Sequence, residues 1–213
     1  MILYRPTDGD PYTQPIQYRP KTCFIMTQTE KPLPSEITTI RQSLSKSLTA
    51  WNVKEIDATS LVTGRDFLMK IWGIIITVPL GIAIITRGMK PKTLANIFYE
   101  VGLLQSYGKE TLVIKAKDAE VPSDFVRTEY VDFDRDFKTN LDKFLKSMFG
   151  LPNYFEQMAD ELENDPLLAI DYLRRSYLIS GDGKYRQKAK KLYANSSIKE
   201  RANNSVEMLL LKF

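Results

Sequence analysis

Gly81-Ile-Ala-Ile-Ile-Thr86, Thr93-Leu-Ala-Asn96-Ile-Phe-Tyr99-Glu100-Val-Gly102-Leu-Leu-Gln-Ser-Tyr107-Gly108-Lys109 and Glu110-Thr-Leu-Val-Ile-Lys115 follow one another with little between them. The outer two are short β-branched runs bounded by turn residues; the middle one carries apolar residues at helical spacing. The order is strand, helix, strand, which is a βαβ unit of a parallel sheet. In an open sheet of this kind ligands bind beyond the carboxyl ends of the strands, so the loop Arg87 to Lys92 and the first turns of the helix are where a site is expected. Glu100 is the one carboxylate of that helix. Leu94, Ile97, Phe98, Val101, Leu103 and Leu104 leave it only a narrow polar face, so it is expected half-buried. Gly102 is expected to admit a close approach by ligand or backbone. A carboxylate so placed has a raised pKa and serves as nucleophile, acid or base, or stabiliser of positive charge.

Working outward, Thr22 to Thr27 reads as a first strand, with Thr27 and Gln28 facing the crevice, where a hydroxyl and an amide bind ribose or phosphate. Pro34-Ser35-Glu36 opens a helix that runs to about Ala50, with Ser35 as N-cap and Ile37, Ile40, Leu44 and Leu48 as its apolar stripe. Val53 to Ile56 is a second strand. The loop Asp57 to Asp66 then leads into a helix. There Thr63 reads as an N-cap with Asp66 three residues on, Arg65 as a partner for phosphate or carboxylate, and Asp57 as either a ribose contact or a turn residue. Asn96, four residues before Glu100, shares its helix face; Tyr99 is expected to pack against the sheet. Glu129 to Phe133 is a fifth strand, and Asp134 to Phe149 is a closing helix with Phe137, Leu141, Phe144, Leu145 and Met148 inward.

Asn96-Ile-Phe-Tyr99-Glu100-Val-Gly102-Leu, followed by Tyr107-Gly108-Lys109 and a strand, resembles the signature of bacterial TIR-like nucleotide-binding domains. The resemblance covers about residues 21 to 149 and implies a flavodoxin-like α/β domain with a five-stranded parallel sheet. It implies cleavage of a nucleotide's N-glycosidic bond, of the NAD glycohydrolase or cyclase type, with Glu100 catalytic and Thr27, Gln28, Asp57, Arg65 and Asn96 binding substrate. NAD or a related nucleotide would be substrate or ligand rather than a resident cofactor. A homo-oligomer and a setting in prokaryotic defence or nucleotide signalling follow from the same likeness. The helix is also similar to that of nucleoside 2-deoxyribosyltransferases, although here Leu94 to Tyr99 replaces the Asp and small residues usual before their Glu. Two alternatives therefore stand beside hydrolysis: a nucleotide-sensing or assembly module without turnover, and deoxyribosyl transfer.

The chemistry has a reason apart from the likeness. Breaking a C1′–N bond builds an oxocarbenium-like ribose, which a nearby carboxylate stabilises by charge, by hydrogen bonds to ribose hydroxyls, or by covalent capture. Nicotinamide leaves as a neutral molecule, so no strong general acid is required. The 213 residues contain no His and one Cys. Ser-His-Asp and Cys-His catalysis are thereby excluded, as are the common zinc sites, and no metal is expected.

With 43% hydrophobic and 26% charged residues the composition is that of an ordinary globular chain, and the net charge of +4 is mild. Cys23 lies in an apolar strand pattern and is expected in the core, which fits a reducing compartment. No apolar leader follows Met1, and the apolar run Ile71 to Thr86 is short and broken by Gly73, Pro79 and Gly81, so a cytoplasmic protein is expected.

Three segments are expected: a Pro-rich arm over residues 1 to 20 with Tyr-Arg-Pro twice, the α/β domain over 21 to 149, and a helical appendage over 150 to 213, with Gly150-Leu-Pro152 as the break. Lys184 to Lys191 is a basic cluster in that appendage. A solvated helix face is its ordinary reading and nucleic-acid contact its sharper one. The apolar end Val206 to Phe213 is expected to serve self-association.

Overall fold

The computed structural model describes residues 5, 8–10, 16–30, 32–59, 67–121, 129–162 and 164–195. Its elements, in chain order, are β1 (Thr22–Met26), α1 (Ser35–Ala50), β2 (Lys54–Asp57), α2 (Phe67–Thr77), β3 (Leu80–Ile85), α3 (Pro91–Ser106), β4 (Glu110–Lys115), β5 (Tyr130–Asp132), α4 (Phe137–Glu161), α5 (Pro166–Ser180) and α6 (Gly183–Asn195). All five strands are parallel, in the order β2-β1-β3-β4-β5. This is the flavodoxin-like order expected from the sequence, with helices flanking the sheet and further helices at the C-terminal end. The order reverses between β1 and β3: β2 is added on one side of β1, β3 to β5 on the other.

The central strands are apolar throughout because helices cover both faces of a parallel sheet. Every residue of β1 and β3 is buried. By the right-handed rule for parallel crossovers, this order puts α1 on one face and α2 with α3 on the other, and α2 packs beside α3. The α1 stripe Ile37, Ile40, Leu44 and Leu48 is fully buried, as are Ile71, Trp72, Ile74 and Ile75 of α2. Pro79 stands between α2 and β3, so the apolar run from Ile71 is a buried helix leading into a buried strand. Among the described residues no helix is long and apolar enough to cross a membrane. Cys23 is in the core, where burial, with the Glu55 carboxylate second, pushes its thiol pKa well up.

Four local expectations are corrected. Ser35 is the first residue of α1 rather than its cap; the N-cap is Pro34, whose extended backbone (φ −55°, ψ 141°) leads into the helix without a side-chain cap. Tyr99 does not pack on the sheet but is 47% exposed, because Ile97 and Phe98 take the inward positions of that turn. Gly102 meets no close neighbour among the described residues. It is Gly81 that permits a close approach, since a β-carbon there would collide with Leu104 Cδ1. The last helix of the α/β domain does not stop at Phe149; α4 runs unbroken through Gly150-Leu151-Pro152 to Glu161. The missing Pro152 N–H removes one rung of the helix, and the neighbouring α5 packs there, with Ser176 Oγ donating to Pro152 O at 3.1 Å.

The chain divides into two compact units, Thr22–Lys146 and the pair of segments Met1–Lys21 and Ser147–Phe213. The first holds the sheet. In the second, Ile16 and Tyr18 of the N-terminal segment are buried, and Lys21 N donates to Leu178 O at 2.8 Å. Arg174 of α5 is 3% exposed; it pairs with Asp171 and donates to Tyr18 Oη at 3.1 Å. Asp165 caps α5 by accepting from Leu168 N at 3.2 Å, and Gly181 ends it in the left-handed conformation, φ 72°. Lys184 and Lys188 of α6 are held by Glu156, at 2.9 and 3.2 Å, with Asp160 also on Lys188. Two of the five cations of the basic cluster read from the sequence are therefore paired with carboxylates of α4. The apolar end over 206–213 lies outside the described residues.

Candidate functional site

Thr27, Gln28, Asn96 and Glu100 line one cavity of about 120 Å³. It lies where β1 ends, beside α3, the helix that follows β3, and so at the reversal of strand order. Each wall has a local cause. The apolar run of β1 ends at Met26, and Thr27, which donates to Ile84 O at 3.5 Å, ties the following turn to β3. On the other wall α3 starts at Pro91, whose missing N–H costs nothing at the first helical position. From there Thr93, Asn96, Ile97 and Glu100 recur at helical spacing along the cavity side, while Val101 and Leu104 seat the helix on the sheet. Ala58, just after β2, also lines the cavity.

Glu100 is half-buried, and burial raises its pKa from 4.5 to about 7. Among the described residues no cation contributes to that shift. A carboxylate that titrates near neutrality in a small cavity is poised either to take a proton or to meet a developing positive charge. At the cavity's edge Glu30 pairs with Lys90, the N-cap residue of α3, at 2.8 Å, and the hydrogen bond from Lys90 holds Glu30 below the usual carboxylate range.

Asp57 is not in the cavity wall. Its carboxylate accepts from Arg41 at 3.1 Å and from Thr59 N and Oγ1 at 3.0 and 2.6 Å, so it closes the turn after β2. Arg65, with Thr63 and Asp66, lies outside the described residues. Thr93, Thr29 and Glu30 belong to the wall and were missed in the sequence. Thr93 was legible, being three residues before Asn96 and seven before Glu100 on one helix face. Among the described residues no group of acidic, Cys or His side chains is arranged to hold a metal. Comparison with protein-family models and with curated proteins gives no match.

Proposed function

We propose that the chain is a TIR-like protein that cleaves the N-glycosidic bond of a nucleotide, NAD or a relative of it, with Glu100 as the acting carboxylate. The observation that carries this reading is Glu100 itself: half-buried, with its pKa raised to about 7 by burial and without a cationic partner among the described residues, in a cavity at the sheet's switch point. In its ionised form it stabilises the oxocarbenium-like ribose as the C1′–N bond lengthens, or captures C1′ before water does. Thr27, Gln28 and Asn96 supply a hydroxyl and two amides, groups that both donate to and accept from ribose hydroxyls. A cationic nicotinamide ring entering beside Glu100 lowers the carboxyl pKa by its charge, so the substrate itself favours the reactive form.

The cavity is well below the roughly 300–1,000 Å³ of sites that enclose a whole ligand. It takes a sugar-sized group, leaving the remainder of a nucleotide outside. That size favours a second reading, deoxyribosyl transfer on a nucleoside: the C1′–N bond breaks, the first base leaves as C1′ forms an ester with Glu100, and a second base then attacks C1′ and releases the carboxylate. A homo-oligomer in prokaryotic defence or nucleotide signalling is the setting the family likeness suggests.

Chromatography of products from NAD, NADP and a panel of deoxynucleosides, with and without an added free base, tests both. Loss of NAD or NADP with release of the base supports hydrolysis. Exchange only when a second base is present supports transfer. Saturable binding without any product contradicts both and leaves a nucleotide sensor.

A further inference from the structure

A groove of about 800 Å³ lies between α1 and the first turns of α4, and among the described residues it shares none with the Glu100 cavity. Five cations line it, Lys46 from α1 and Arg135, Lys138, Lys143 and Lys146 from the start of α4, against two carboxylates, Asp134 and Asp142. The carboxylates have local duties. Asp134 accepts from Asp136 N at 2.9 Å at the head of α4, and Asp142 accepts from Trp51 Nε1 at 3.2 Å. Arg135 pairs with its neighbour Asp136. Among the described residues no carboxylate pairs with any of the four lysines, all of them exposed. Lys138 to Lys146 cover roughly 12 Å of helix, and Lys46 lines the same groove from α1.

Two aromatic rings stand in the same groove, both half-buried and both held. Trp51 is fixed by its bond to Asp142, and Phe133 by an edge-on contact with Phe137, centroids 4.9 Å apart. A positively charged groove carrying anchored aromatic rings is the arrangement that takes single-stranded nucleic acid: phosphates lie along the lysines and bases stack on the rings. An acidic peptide would use the lysines but has no need of the rings. A duplex keeps its base faces stacked inside and offers the rings nothing. We infer that the α1–α4 groove is a binding site for a short single-stranded segment of RNA or DNA, separate from the Glu100 cavity.

The test uses the full chain and a fluorescein-labelled single strand of mixed sequence, about a dozen nucleotides long, followed by anisotropy at several salt concentrations. Saturable binding is expected, with a log–log salt slope near −3 if four lysines each meet a phosphate. The double variant Lys138→Glu/Lys146→Glu, confirmed folded by circular dichroism, is expected to bind at least about tenfold more weakly and to lose about half of that slope. Quenching of tryptophan emission on binding is expected in wild type and not in Trp51→Phe, in which the buried Trp72 remains. Absence of binding at low salt overturns the inference. So does affinity unchanged in the double variant, affinity lost instead on Lys190→Glu/Lys191→Glu, or competition by polyglutamate or a duplex as strong as that by the single strand.

Discussion

Leu104 of α3 sets its Cδ1 against Gly81 of β3, in the space that a β-carbon on residue 81 would fill. Glu100 stands one helical turn before Leu104, so the depth at which α3 rests on the sheet sets the position of the carboxylate. A single absent methyl group in β3 thus helps define the cavity at the end of β1.

Gly81→Ala is expected to destabilise the protein by about 1–3 kcal/mol, the usual cost of overpacking a filled core, and to lower turnover by displacing Glu100. Gly102→Ala, in the same helix with open space around it, is expected to be neutral or to stabilise by about 0.5–1 kcal/mol. Thermal or denaturant unfolding of the two variants checks the contrast; equal effects would contradict the seating of α3 on Gly81.

Replacing Glu100 by Gln is expected to make stability less dependent on pH. The folded-state pKa of Glu100 is raised from 4.5 to about 7, so between those values the folded protein holds a proton that the unfolded chain has lost. Stability therefore falls as pH rises through this window and stays lower above it. Glu100→Gln removes that penalty and is expected to be more stable than wild type at pH 8, by about 2 kcal/mol after allowing for partial exposure, and about equal to it near pH 4. Urea unfolding at the two pH values measures the difference.

Turnover is expected to rise with pH along a limb centred near 7 in the free enzyme, since the ionised carboxylate is the form that meets the oxocarbenium charge. A profile of kcat/KM against pH locates that limb. A profile that falls across the same range would assign Glu100 the part of a proton donor instead.

In the helical unit, Asp171→Asn is expected to cost about 3 kcal/mol or more, because it leaves the buried Arg174 guanidinium with Tyr18 as its remaining partner among the bonds described. Burial on its own would raise the Asp171 pKa, yet Arg174 and Arg175 together hold it below 3.8. Its contribution is therefore present above the ordinary carboxylate pKa and is lost as pH falls through the lowered one. Circular dichroism of wild type and variant under increasing acid checks this.

The sheet was legible because β1 and β3 are nearly continuous apolar runs and β4 has an apolar centre, the pattern that two covered faces impose, and because α1 and α3 carry clear helical periodicity. The placing of Asn96 and Glu100 on one wall followed from helical spacing alone. What was not legible depended on partners distant in the chain. Asp57 is held at the turn after β2 by Arg41, sixteen residues earlier, and by Thr59. Pro152 stays inside a helix because α5 packs beside it, and Tyr99 points outward because its neighbours are better buried. The basic groove draws on residues 43–51 and 133–146, which no local pattern joins.

The most direct measurement is release of nicotinamide from NAD at pH 8 by concentrated wild-type protein and by Glu100→Gln, with NAD binding to both followed in parallel. Turnover by wild type and a loss of about a hundredfold or more in Glu100→Gln, with binding retained, is the predicted result. Binding without turnover in wild type, or turnover undiminished in the variant, would contradict the assignment of Glu100 as the acting carboxylate.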